Sequence, residues 1–268
     1  GAAFVSSSLN PHQTFLELLD AAHLPPETRG RIEAFEYNLI APMFALNLNL
    51  REPPHYEAEA RHPELARAFM VVLGLDHVDQ FAEIVRHHEA GTLPRTVTWG
   101  ACPTLFDESQ APTGHHTAFM WEKLPYRLHG DPRNWDEARD AHGREMLELW
   151  TRHAPNLAGA VISSFTRSPL DVERSLPNMR HGDLLGGAFA NGQVGRDRPF
   201  AGAGEYRGIV PGLYLCGSSS HPGGNITGLP GYNAAQVILA DLGIKADWAP
   251  PSFAERLERI SEAPRCDA

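Results

Sequence analysis

Cysteine is scarce: Cys102, Cys216 and Cys266 are the whole supply in 268 residues. Three scattered thiols exclude a disulfide framework and a zinc knuckle, and they suit reduced thiols in a cytosolic protein. Basic charge is also short, with 23 Lys and Arg against 33 Asp and Glu and a net charge of -10. A nucleic-acid binder needs basic density to displace counterions from phosphates, so that class is excluded. No apolar run reaches the roughly 18 residues of a membrane helix. The start, GAAFVSSSLNP, has no basic region before an apolar stretch and does not read as a secretory signal.

Several catalytic signatures are missing too. There is no G-x-S-x-G elbow, which argues against a serine hydrolase. The 14 histidines include the pairs His87-His88 and His115-His116 but no H-E-x-x-H spacing, so no metal site is expected. The G-x-G-x-x-G fingerprint of an adenosine-binding βαβ unit is absent: Gly202-Ala203-Gly204 runs on into Glu205, Tyr206 and Arg207.

What is present is a real core, 42% hydrophobic, with helices and strands in no regular βαβ order. Strands are expected at 2–6, 96–102, 117–122 and 159–166. Met43 to Leu50, MFALNLNL, alternates with period 2 and is the clearest strand. Helices are expected from Asn10-Pro11 onward, over 26–37, 65–73, 77–88 and 134–153, and from Pro169. The pattern predicts an α+β fold with antiparallel pairing in its middle. Asp171, Glu173 and Arg174 read as ion-pair partners on a short helix rather than acid–base groups. The Gly-, Arg- and Pro-rich stretch 182–212 reads as a long ordered loop.

The strongest signal comes late. Leu213 to Cys216 reads as a short buried strand, followed by GSSSHPGGNITGLPG and a helix from about Tyr232 to Leu239. Gly217, Gly223, Gly224, Gly228 and Gly231 let backbone approach a ligand closely. The free N–H groups of the helix start would suit a phosphate, or the pyrimidine carbonyl side of a flavin. A tight glycine-rich connection without a ligand is the alternative. His221, inside the loop, either donates to a cofactor oxygen or braces the turn.

These residues resemble a known signature. GLYLCGSSSHPGGNITGLPGYNAA is similar to the closing flavin-binding segment of phytoene-desaturase-like FAD-dependent oxidoreductases, in the wider amine-oxidase-like flavoprotein group. SPLDVERSLPNMRHGDLLGG, RPFAGAGEYRGIVPGLYLCG, HAPNLAGAVISSFTRSPLDVE and AAFVSSSLNPHQTFLELL resemble further blocks of the same group, in the right order. The resemblance covers essentially the whole chain, but only the C-terminal half of a typical member.

The resemblance implies an enzyme, an FAD-dependent dehydrogenase or desaturase of which this chain is either a fragment or, the favoured expectation, one subunit of a split heterodimer. A second subunit would carry the N-terminal G-x-G-x-x-G half. The implied layout is 1–10 as a strand leaving the FAD-binding domain and 11–180 as a substrate-binding domain with a mixed or antiparallel sheet. Residues 181–245 would return as a segment of the Rossmann-like FAD domain, and 246–268 would form a tail. Carried over by position, Cys216, Gly217, Ser218, His221 and Gly224 would lie along FAD. Asn225, Ile226 and Thr227 would approach its ring, and Gly228, Leu229, Gly231, Tyr232 and Asn233 would form the helix entry. Ser218 stands where many relatives have an acid. Implied substrates are hydrophobic terpenoids, a carotenoid or a monoterpene such as limonene, oxidised by hydride transfer to flavin. Phe44, Leu46, Leu48, Phe119 and Trp121 are candidate cavity lining, a peripheral membrane contact is compatible with such substrates, and no catalytic residue is singled out. A scaffold subunit of the same fold without flavin chemistry is the competing expectation.

Overall fold

The structure is a computed structural model describing residues 2–190, 192–224, 226–246 and 252–262, the side chains of 260–262 excepted. Its main layer is a five-stranded antiparallel sheet in the order β3-β4-β5-β2-β6. The strands are β2 (Met43–Leu50), β3 (Val71–Leu73), β4 (Thr98–Ala101), β5 (His116–Lys123) and β6 (Val161–Arg167). The alternation of β2 decides its faces: Phe44, Leu46, Leu48 and Leu50 are buried, whereas the residues between them are less so.

The buried face packs under α3 (Trp135–His153), where Trp135, Met146, Leu149 and Trp150 meet Phe44, Leu46, Leu48 and Met120. Each fully buried large apolar side chain there contributes about 1.5–3 kcal/mol. Both indoles satisfy their N–H: Trp135 donates to the Pro125 carbonyl (3.0 Å) and Trp150 to the Tyr56 hydroxyl (3.1 Å). A buried pair crosses the same layer, with His142 Nε2 2.6 Å from Glu122 Oε2. Burial pushes the Glu122 carboxyl up, and the His142 hydrogen bond opposes that shift. Phe44, Leu46 and Leu48 are therefore buried core residues under α3, a correction to their reading as substrate-cavity lining that follows from which face α3 covers; Leu46 reaches only the floor of a cleft between α3 and β6.

A second, smaller layer is a parallel pair, β1 (Val5–Ser7) with β7 (Leu213–Leu215), in the register Val5 to Leu213 and Ser7 to Leu215. Its core holds Phe15, Leu24, Ile32, Phe200 and Leu215. The remaining helices are α1 (Pro26–Glu33), α2 (Gln80–Ala90), α4 (Leu157–Ala160), α5 (Pro169–Ser175), α6 (Leu229–Asp241) and α7 (Phe253–Glu262). No helix among the described residues is long and apolar enough to cross a membrane.

The mixed helix–strand class and the antiparallel sheet match the sequence expectation. Differences are local. The helix expected over 65–73 is a 3-10 turn, Pro63–Arg67, followed by β3. β-branched Val71 and Val72 pair with Gly100 and Trp99, and that ladder outweighs the local helical spacing. The helix from Pro26 ends at Glu33 and not at Tyr37, since Phe35 and Tyr37 turn into an aromatic cluster with His12. Ser168 caps α5 by accepting from the Asp171 amide, the Asp171 carboxylate accepts from the Ser168 amide and pairs with Arg139, and Arg174 pairs with Asp136. Glu173 accepts from the Tyr126 hydroxyl and the His181 amide. These acids are structural partners, as their sequence context indicates.

Candidate functional site

β7, the turn 217–220 and α6 form one strand–loop–helix unit. Its far end is pinned: Arg207 meets Asp241 through two hydrogen bonds (2.7 and 2.9 Å), and the Tyr214 hydroxyl donates to the same carboxylate (2.9 Å). At the near end, Cys216 continues the strand by donating its amide to the Ser7 carbonyl (2.9 Å). The turn closes when the Ser220 amide reaches the Gly217 carbonyl (2.9 Å). The amides of Gly217, Ser218 and Ser219 have no acceptor among the described residues. Backbone donors in folded proteins are nearly always paired. Three successive amides without an acceptor after a strand are the donor supply that an anion-accepting nest requires.

The glycines divide into two kinds. A Cβ on Gly217 would lie 2.1 Å from the Ser8 carbonyl oxygen, and one on Gly223 would lie 2.5 Å from the Phe189 ring. Those two serve chain packing. Gly224 is intermediate, with Ser218 and the Leu185 carbonyl at 3.3–3.4 Å. Gly228, left-handed at φ +67°, would put its Cβ into open space, and a Cβ on Gly231 would meet only the Cys216 oxygen, at 4.0 Å. Open space thus lies beside the first turn of α6. In that turn Leu229 donates to the Thr227 hydroxyl, Pro230 has no N–H and Tyr232 donates to the Gly228 carbonyl, which leaves the Gly231 amide without an acceptor among the described residues. Together with the amides of 217–219 it suits a phosphate or carbonyl oxygen, so the residues present fit a nucleotide-type cofactor.

Other named residues have definite places. Ile226 is left-handed (φ 58°) and fully exposed, an unusual state for a β-branched apolar residue. The Thr227 hydroxyl accepts from the Leu229 amide (3.3 Å). Leu229 and Tyr232 are exposed at the helix entry. The Asn233 side chain donates to the Tyr206 hydroxyl (2.8 Å), which donates to the His221 carbonyl (2.9 Å), so Asn233 braces the loop. Asn225 lies outside the described residues, as does Cys266.

Three buried polar residues, none singled out by the sequence, stitch this unit to the rest. Asp183 accepts from the amides of Asn38, Leu185 and Gly187 at 2.7–2.9 Å. The Gln193 side chain bonds the Glu36 amide (2.7 Å) and carbonyl (3.0 Å). Arg198 donates to the carbonyls of Leu185, Gly186, Gly187, Ala188, Gln193 and Ser218. These contacts tie the loop 183–198 both to the connector into β2 and to the turn after β7. Nearby, His12 Nδ1 lies 3.0 Å from the Tyr37 hydroxyl, and burial, with Arg180 and His181, pulls the His12 pKa down to about 4.

The sheet face opposite α3 is open. Two cross-strand rows run over it: Phe165, Asn47 and Phe119, and then Arg167, Ala45, Trp121, Trp99 and Val72. Phe119 and Trp121 lie 4.4 Å apart between ring centres, and Trp99 and Trp121 lie 6.3 Å apart. Lys123 sits over Trp99 at 5.8 Å and donates to the Ala41 carbonyl (3.1 Å). Phe119 and Trp121 therefore stay candidates for lining, joined by Trp99 and Phe165, which become legible only once the strand register is known.

The chain thus combines a glycine-rich strand–loop–helix unit that has unpaired amides with an antiparallel sheet that has an aromatic open face. No family model matches the chain. It is similar to a limonene dehydrogenase subunit of Castellaniella defragrans, 29% identical over 78% of this chain and 39% of the relative. It is also similar to rat pyridine nucleotide-disulfide oxidoreductase domain-containing protein 2, 28% identical over 89% of this chain and 42% of that one. A shorter match, 28% identical over 46% of this chain and 23% of the relative, is to 4,4'-diapolycopen-4-al dehydrogenase of Metabacillus indicus. The chain is thus similar in sequence to proteins named as dehydrogenases and oxidoreductases. It spans about four-tenths of the length of the first two.

Proposed function

We propose that the chain is one subunit of an FAD-dependent oxidoreductase that dehydrogenates a hydrophobic terpenoid. The observation that carries this reading is the run of unpaired amides at Gly217, Ser218 and Ser219 beside the open cradle at Gly228 and Gly231. The nest would hold the phosphate-bearing middle of FAD, and the first turn of α6 would face the pyrimidine side of the ring. Ile226, Thr227, Leu229 and Tyr232 would border the ring, with Cys216, His221 and Gly224 along the chain leading to it. Flavin, when bound, supplies the two-electron acceptor chemistry. The protein's part is to orient the C–H bond and exclude water, for which the face of Trp99, Phe119, Trp121 and Phe165 offers an apolar wall.

In this reading residues 11–180 form the substrate lobe, and 1–10 with 181–245 form the returning cofactor segment. The parallel pair β1–β7 supports a partner. Parallel sheets are normally extended and covered on both faces, and two strands alone are marginal. Here Phe4, Val5 and Leu18 are exposed along a groove of about 540 Å³ that also includes Val210 and Leu213. We assign that edge to a second subunit carrying the G-x-G-x-x-G unit. The test is co-expression with a neighbouring gene product that bears that motif, followed by anaerobic titration with limonene and with a carotenoid. Terpene-dependent bleaching of a flavin spectrum is expected. A flavin-loaded complex that no terpenoid bleaches would overturn the substrate class.

A further inference from the structure

We propose that Arg198 is the positioning residue of the cofactor turn, acting through the Ser218 carbonyl without touching the ligand. The proposal rests on the flavin reading above and deepens it. Arg198 is 1% exposed, and its guanidinium stacks on the Phe189 ring at 4.1 Å. Its Nη2 and Nε hold the Ser218 carbonyl at 3.0 and 3.3 Å. Its other donors take carbonyls of the loop 185–193, so its hydrogen-bonded partners are backbone oxygens and not a carboxylate. A buried cation without a directly bonded carboxylate is costly to keep. Burial lowers its pKa only to about 10, so it stays charged at neutral pH.

The consequence is geometric. The Ser218–Ser219 peptide is trans, so its C=O and N–H point in opposite directions. Clamping the carbonyl onto Arg198 turns the Ser219 N–H away from the guanidinium. One side chain thereby sets the direction of a donor in the nest and locks it to the loop 185–193. Lys cannot do the same, because a single ammonium cannot span carbonyls on both segments.

The experiment uses the complex of this chain with its partner, stripped of flavin and titrated with FAD, for wild type, Arg198→Lys and Arg198→Ala. Cooperative unfolding reports the fold, and amide exchange of the 217–220 peptide reports the turn. Arg198→Lys is expected to unfold cooperatively, to exchange faster at 217–220, and to bind FAD about tenfold to a hundredfold more weakly, the loss of one or two oriented donors to an anion. Guanidinium ion should restore part of the affinity of Arg198→Ala, and methylammonium should not. Wild-type affinity and exchange in a folded Arg198→Lys overturn the proposal alone. So does failure of both variants to fold even with guanidinium, which would make the role structural. A wild-type complex that takes up no FAD removes the flavin reading, and this proposal with it.

Discussion

Gly231 offers a perturbation in which stability and cofactor binding should move in opposite directions. It is the third residue of α6, and an added side chain would enter open space with only the Cys216 oxygen at 4.0 Å. Glycine in a helix interior costs about 0.8–1.0 kcal/mol relative to good helix formers. In the first turn the gain from Gly231→Leu should be smaller, about 0.5 kcal/mol, or roughly 1–2 °C in Tm for a chain of this size. The new isobutyl group, however, fills the cradle. Forcing extra methylenes into occupied space costs about 1–3 kcal/mol, which is about tenfold to a hundredfold in FAD affinity. The assay pairs thermal unfolding of the free subunit with FAD titration of the assembled complex. A more stable subunit that binds FAD as wild type does would refute the claim that this opening receives the cofactor.

Gly217→Ala should act on the fold itself, because its Cβ would strike the Ser8 carbonyl oxygen; about 1–3 kcal/mol of lost stability by urea unfolding is expected. Trp121→Ala removes a half-buried ring from the open sheet face, and a roughly tenfold rise in terpenoid KM with little change in kcat is expected, one apolar wall contact being worth about 1.5 kcal/mol. His12, depressed to about 4 against an ordinary 6.5, contributes stability that is full above the unfolded value and lost as pH falls from about 6.5 through about 4. Half-exposure cuts the roughly 3 kcal/mol that the shift would represent to about 1–2 kcal/mol, and His12→Gln should flatten this acid limb of the Tm–pH profile by that amount.

Much of the fold was legible because the signal was local. The period-2 run Met43–Leu50 matches β2 at both ends, and the longest helix was misplaced by one residue at its start. The segment 65–73 failed because Val71 and Val72 take their conformation from Trp99 and Gly100, far along the chain. The glycine-rich turn is legible as a glycine count, but the count does not separate Gly217, whose absent Cβ makes room for Ser8, from Gly231, which faces open space. Arg198 left no mark in the sequence beyond being one arginine in a loop rich in them. Its role depends on carbonyls contributed by two segments, and only the folded chain brings those together.

The most direct measurement is the visible spectrum and flavin stoichiometry of the purified complex between this chain and its G-x-G-x-x-G partner, compared with each subunit alone. The account predicts about one FAD per complex and none retained by this chain alone, with the complex's FAD affinity weakened about tenfold to a hundredfold by Gly231→Leu. A folded, stable complex without flavin, or one whose flavin is indifferent to that substitution, would contradict it.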